Sequence, residues 1–343
     1  MPWHIIASRS RSLCSISNDG TIMQRSRPIN SIRKIHSENT QGQGKPLVFA
    51  LEWHPLQTSL TEQLQAECGK LDIRQFPDGE SYLRIITPIT GRSCIVVADL
   101  SHPNTKYLPL IFLLSTLREL GASSVGLVAP YLSYMRQDRR FVEGEAITSK
   151  IFARDLSQHI DWLVTVDPHL HRYHSLNEIY SVPSKVVQGA PALSQWLKTK
   201  SDVLLIGPDA ESEQWVSDIA HQSGHPFVIG EKQRFGDRDV QITLPELDVY
   251  HSLAAVIIDD VISSGHTILE CIKALKEKSI THIHCAAVHG IFADGVDADL
   301  LSTGLESLVT TNTIAHQSNA IDITSLLITP VNIMLREVNK GKQ

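Results

Sequence analysis

Two adjacent aspartates, Asp259 and Asp260, stand between an apolar β-branched run, Ala254 to Ile258, and a short turn, Ser263-Ser264-Gly265-His266-Thr267. Paired carboxylates can grip sugar hydroxyls or a hydrated cation. A turn that opens a helix offers hydroxyls and free backbone N–H groups to an anion. The stretch therefore reads as a pocket for a phosphorylated polyol. The blander reading, aspartates that merely cap a helix in a solvated loop, is outweighed by context. A buried-strand pattern precedes the acids, and Ile268, Ile272 and Leu275 follow at i, i+4 and i+7 on one helical face.

Other clusters carry complementary chemistry. Within the polar segment Tyr131 to Lys150, Arg136, Arg139 and Arg140 surround Gln137 and Asp138, and arginines clamp phosphates in pairs. The run DPHLHRYH holds His169, His171 and His174. A zinc site is disfavoured because no Cys or acid cluster lies nearby in sequence; His169 alone, assisting a hard cation, is the functional candidate, with His171 and His174 as surface residues. Asp209, in Pro208-Asp209-Ala210-Glu211-Ser212, places a further carboxylate after a strand. Lys232 and Arg234 belong to a loop over 231–239 that is rich in both signs and contains glycine, a composition that suits mobility.

Positioning such groups needs a sheet whose strand ends converge. From Pro46 onward, short apolar runs alternate with helical spacing, which predicts an α/β fold with mainly parallel sheets and crossover helices. Ligands in open α/β sheets bind beyond the carboxyl ends of strands, where these motifs fall. The layout repeats, with acids ending a strand in each half, which indicates domain duplication. Strands are expected at Cys94–Ala98, Ser124–Ala129, Trp162–Val166, Val203–Ile206 and Ile283–Val288, with weaker ones at Leu308–Thr310 and Leu326–Ile328. The boundaries predicted are an N-terminal extension over 1–44, a first domain over 45–188, a second over 189–325, and a C-terminal segment over 326–343 that packs back on the first.

Bulk properties exclude several classes. The 343 residues, 42% hydrophobic and 20% charged, suit two globular domains. A net charge of −6 gives no general case for nucleic acid, and no apolar run approaches the roughly 20 residues that span a bilayer. Five cysteines, with no CxxC pair, favour reduced thiols in the cytoplasm. The first 44 residues carry six basic residues between Arg9 and Lys34 against Asp19 and Glu38, a composition open to three readings: a disordered tail, a transit peptide or a start assigned too far upstream.

Taken in order, FPDGE at 76–80, YxxYxRQDRR at 131–140, VDPH at 166–169, PDAES at 208–212, KxR at 232–234 and DDVISSGHT at 259–267 resemble the ribose-phosphate diphosphokinase (PRPP synthetase) family over about Lys45 to Arg336. The resemblance implies two phosphoribosyltransferase-like (type I) domains related by a pseudo-twofold duplication. It also implies transfer of the β,γ-diphosphoryl group of ATP to the 1-hydroxyl of ribose 5-phosphate, with Mg²⁺. Ser263, Ser264, Gly265, His266 and Thr267 would then bind the 5-phosphate, while Asp259 and Asp260, with Asp209, bind the ribose. Phe76, Asp78 and Glu80 would read adenine, often in a neighbouring subunit, so a homo-oligomer, dimer or higher, is expected. Arg136, Gln137 and Asp138 would contact ATP, His169 and Asp209 would lie near Mg²⁺, and Lys232 and Arg234 would form the basic pair of a catalytic loop.

The departures point to a divergent branch, expected to be of the bacterial type. Ser263 and His266 stand where many members have Asp and Gly, and PDAES replaces a glycine-rich loop. A phosphoribosyltransferase would share 259–267 but has no use for FPDGE or RQDRR. A non-catalytic associated regulator would not need Lys232, Arg234 and His169.

Overall fold

The computed structural model describes residues 44–170, 172–234 and 240–340. The N-terminal extension, His171, residues 235–239 of the charged loop and the last three residues lie outside the described residues, as does the Arg234 side chain.

The first half begins β1 (Leu47–Ala50), α1 (Pro55–Gln63), β2 (Glu67–Cys68), then the hairpin strands β3 (Leu71–Gln75) and β4 (Ser81–Ile85). It continues β5 (Ser93–Val97), α2 (Pro103–Glu119), β6 (Ser124–Ala129), α3 (Thr148–Leu156), β7 (Trp162–Val166) and β8 (Ser184–Val187). After α4 (Ala190–Leu197), the second half runs β9 (Val203–Gly207), α5 (Glu213–Ser223), β10 (Phe227–Ile229) and the hairpin β11 (Glu231–Arg234) and β12 (Val240–Thr243). It closes with β13 (Ala254–Ile262), α6 (His266–Glu277), β14 (Ile283–Gly290), α7 (Val296–Ser302), β15 (Ser307–Thr311), β16 (Asn319–Ile321) and α8 (Thr324–Lys340).

Both six-stranded sheets are parallel, ordered β2-β1-β5-β6-β7-β8 and β10-β9-β13-β14-β15-β16. The orders match element for element, with an antiparallel hairpin in the same place in each half. The expected α/β duplication is therefore present.

Near-continuous apolar strands arise because both faces of each sheet are covered. Alternate residues divide between cores: Val48, Ile95, Val164, Leu205, Val256 and Val288 face a shared inner core, which also receives Leu56 of α1, Leu193 of α4 and Val216 of α5. The residues between them face outward, in the first sheet onto α2 and α3 and in the second onto α6 and α7. Gly126 on β6 makes room for Trp162 of β7, since a Cβ there would lie 1.9 Å from the indole.

Two expectations are corrected. Residues 326–328 are not a strand but part of α8; Leu327, Val331, Met334 and Leu335 recur at helical spacing and enter the inner core beside β7 and β8. A three-residue apolar run cannot by itself distinguish strand from helix. The charged stretch expected as a loop over 231–239 contributes Glu231–Arg234 to a hairpin arm, paired in register with Val240–Thr243.

Candidate functional site

Asp259 and Asp260 lie within β13, beyond the stretch that pairs with the shorter β9. Alternation sends their side chains in different directions, and the Asp260 N–H donates to the Asp259 carboxylate at 2.9 Å. Burial first, then the adjacent Asp260 charge, pushes Asp259 well above the usual carboxylate range. Burial is the largest influence on Asp260 and acts upward, but His169, Asp259 and His289, with His169 foremost, together outweigh it and hold that carboxyl low; His169 Nδ1 lies 3.8 Å from Asp260 Oδ2. The pair thus tends to carry one full negative charge at the half-exposed Asp260.

The turn after β13 is fixed by Gly265, the N-cap of α6, at φ +71°, where a Cβ would lie 2.7 Å from Val296. Its conformation leaves Ser264 and His266 exposed and Ser263 and Thr267 half-buried at the helix start.

On the other flank, Lys232 Nζ donates to Asp209 Oδ2 at 3.0 Å and to Thr267 Oγ1 at 3.3 Å. Asp209 Oδ1 meanwhile accepts the Ser212 N–H, closing the turn at the end of β9. Asp209 also contributes to the field that raises Asp259. Lys232, Asp209, Thr267 and the acidic pair therefore form one neighbourhood.

A cleft of about 440 Å³ unites the halves. Its wall includes Tyr131, Arg136, Gln137, Asp167 and His169 from the first half and Asp260, Ser263, His289 and Ile291 from the second. Gln137 is steadied by Glu145 at 3.0 Å. Asp138, its neighbour in sequence, does not line the cleft: it is buried, and Arg172 Nη1 donates to both its oxygens at 3.1 and 3.2 Å. Of His169 and Asp209, expected together at a metal, His169 lines the cleft and Asp209 does not, and no group of three or more His, Cys, Asp or Glu side chains able to hold a metal occurs among the described residues.

Phe76, Asp78 and Glu80 sit at the exposed tip of the β3–β4 hairpin and do not line this cleft. The Asp78 carboxylate accepts the Glu80 N–H at 3.2 Å, and Arg74 stacks over Phe76 and Tyr82 at 4.9 and 4.2 Å.

Sequence reasoning missed Asp167 and His289 as cleft residues. Asp167 directly follows β7 and accepts the Gly189 N–H at 2.8 Å, and burial raises it to about 6. Burial lowers His289, at the end of β14, to about 4. The available signal was a polar residue closing an otherwise apolar strand.

Comparison with known proteins gives this geometry a lineage. Residues 47–159 match the N-terminal domain of ribose phosphate pyrophosphokinase, and 175–316 match the phosphoribosyl transferase domain. A ribose-phosphate pyrophosphokinase of Methanopyrus kandleri is 32% identical over 77% of this chain and 90% of its own length. That of Saccharolobus solfataricus is also 32% identical, over 75% and 88%. The crystal structure of phosphoribosylpyrophosphate synthetase from Mycobacterium smegmatis superposes with a TM-score of 0.72 at 21% identity, covering 85% of this chain and all of that one. The expected bacterial-type placement gains no support from these archaeal relatives. Two domain models that together cover most of the chain, and a relative 32% identical over most of both chains, establish that this chain belongs to the ribose-phosphate pyrophosphokinase family.

Proposed function

We propose that the chain transfers the β,γ-diphosphoryl group of ATP to the 1-hydroxyl of ribose 5-phosphate, giving PRPP and AMP. The observation that carries this is the shared cleft, which sets Asp260 and Ser263 of one half against Arg136, Gln137 and His169 of the other. In this reading, the turn 263–267 holds the 5-phosphate at the start of α6, and Asp259 and Asp260 hold ribose hydroxyls. Burial and the Asp260 charge favour the protonated form of Asp259, and a protonated carboxyl can donate as well as accept, which suits a hydroxyl neighbour.

Arg136 and Gln137 would position the ATP phosphates. The Asp138 pairing with Arg172 supports a different part for Asp138, that of bracing the segment which carries them. Lys232, with Arg234 on the same hairpin arm, would meet the diphosphoryl oxygens. Transfer of this kind relies on positioning and on neutralising spread charge. In the resting arrangement Asp209 and Thr267 keep the Lys232 ammonium beside the sugar site.

Mg²⁺ usually takes only one or two protein carboxylates and completes its shell with phosphate and water, so a site without a protein cage fits it. Asp260, beside His169, has the hard, charged oxygen such an ion prefers. Bound there, Mg²⁺ would neutralise phosphoryl oxygens. Phe76, Asp78 and Glu80, exposed and away from this cleft, would complete the adenine site of a second copy, making the enzyme a homo-oligomer.

No helix of the described residues is long and apolar enough to cross a membrane, and the four described cysteines are free, which supports a cytoplasmic setting. Archaeal relatives favour a divergent branch near theirs. Purified protein with ATP, Mg²⁺ and ribose 5-phosphate should yield AMP in step with PRPP; ADP would mark an ordinary kinase, and no turnover a regulator.

A further inference from the structure

We propose that His289 is a positioning residue: a latch from the second half that holds the strained turn carrying His169 in place across the cleft. The inference rests on the reading of that cleft as the reaction site. Three observations converge on it.

First, His289 Nε2 lies 3.2 Å from the carbonyl oxygen of Val166, which ends β7 in the other half. A carbonyl only accepts, so Nε2 carries the proton. With the ring neutral, Nδ1 is left as an acceptor 2.9 Å from Thr313 Oγ1, whose hydroxyl also stands 2.9 Å from the Val288 carbonyl. The ring is buried, 2% exposed.

Second, the backbone just beyond Val166 is strained. Asp167 has φ +36°, outside the ordinary range for a residue with a side chain. Such a conformation persists only where the surroundings over-determine it. Here the Asp167 N–H donates to the Val187 carbonyl at 3.0 Å, its carboxylate accepts the Gly189 N–H, and His289 holds the preceding carbonyl. Two of those ties come from the same half or its exit. The one through His289 comes from the opposite side of the cleft.

Third, the turn delivers His169, which faces Asp260 on β13. Strands β13 and β14 are neighbours in register, with Val261 opposite His289. The latch therefore joins β14 to β7 one strand away from the carboxylate that His169 must meet, and it sets the spacing between the acceptor-binding and ATP-binding halves. A second buried histidine uses the same tautomer. His54 Nδ1 accepts the Leu56 N–H at 3.2 Å, leaving Nε2 to donate to the Thr313 carbonyl at 3.4 Å. Thr313 is thus held by one histidine from each half.

The test compares His289→Gln, whose side-chain amide can still reach the Val166 carbonyl, with His289→Asn, which can meet only Thr313. Both are made in the full chain. Hydrogen–deuterium exchange should rise in the peptide over 163–169 for the Asn variant and stay near wild type elsewhere, with the Gln variant close to wild type throughout. The Asn variant should lose kcat on the order of 10–100-fold, while KM for ribose 5-phosphate stays within about threefold; the Gln variant should recover most of that loss.

Unchanged exchange at 163–169 in the Asn variant would overturn the latch. So would a uniform rise across the molecule, the mark of a merely structural residue. Should wild-type protein make no AMP and PRPP, the proposed function falls, and the exchange pattern alone still decides the latch.

Discussion

Lys232 shows how a charged side chain can be both held and available. Its ammonium sits between Asp209 and Thr267 and is largely covered, so it is desolvated and aimed before any substrate arrives. Lys232→Ala should lower kcat by orders of magnitude, with ribose 5-phosphate affinity changed little in calorimetry; an equal loss of both would refute the role. His289 supplies a pH prediction. Folding keeps it neutral at about 4 against an ordinary 6.5, so the unfolded chain binds the extra proton. Its contribution to stability is therefore complete above about pH 6.5 and is lost as pH falls through that value towards 4. Asp167, raised to about 6, acts in the opposite sense, its strain being relieved as pH falls from 6 towards 3.8. The His289 ring resonances should stay constant from pH 8 to 5 in NMR, and a midpoint near 6.5 would contradict its burial and tautomer. Asp259, Asp260 and the turn after them were legible in the sequence because their chemistry is local: acids, glycine and hydroxyls within nine residues. The Asp138–Arg172 pair was not, since its partners lie 34 residues apart and nothing in RQDRR shows which way Asp138 points. His289 fell one residue past the strand expected over Ile283–Val288 and drew no reading; only the other half supplies its acceptor.

Among the elements, β13 with its turn and the start of α6 depends most on a single residue. Gly265→Ala would force a side chain into a positive-φ position and against Val296, so it should cost on the order of 1–2 kcal/mol in urea unfolding. It should also raise KM for ribose 5-phosphate well before it affects ATP. An unchanged KM would separate this turn from the 5-phosphate. Gly126→Ala makes a different demand, because Trp162 has no room to retreat between the sheets. A loss of roughly 1–3 kcal/mol is expected from overpacking, with activity per folded molecule unchanged. The parallel strands were readable from their β-branched runs because both faces are buried, whereas two edge strands, β2 and β8, are short and largely exposed and left no periodic mark. α8 was misread in part for a different reason: the run 326–328 is too short to show a period, and its helical spacing emerges only when Leu327, Val331 and Met334 are taken together.

At the scale of the whole molecule, duplication explains where function sits. Each half repeats one order of strands with one hairpin, yet the two hairpins have diverged, one tipped by Phe76 and Glu80 and the other bearing Lys232. The Phe76 hairpin stands clear of this chain's own cleft, which makes a prediction about assembly. Mixed oligomers of Phe76→Ala and Lys232→Ala chains should regain part of the activity that each variant lacks alone; no recovery on mixing would mean that Phe76 serves its own chain. The central claim is that the united cleft moves a diphosphoryl group as one piece, and ATP labelled at its β-phosphorus tests it most directly. With Mg²⁺ and ribose 5-phosphate, the account predicts that the label passes into PRPP with one AMP formed for each PRPP. Label retained in ADP, with a singly phosphorylated product, would contradict it.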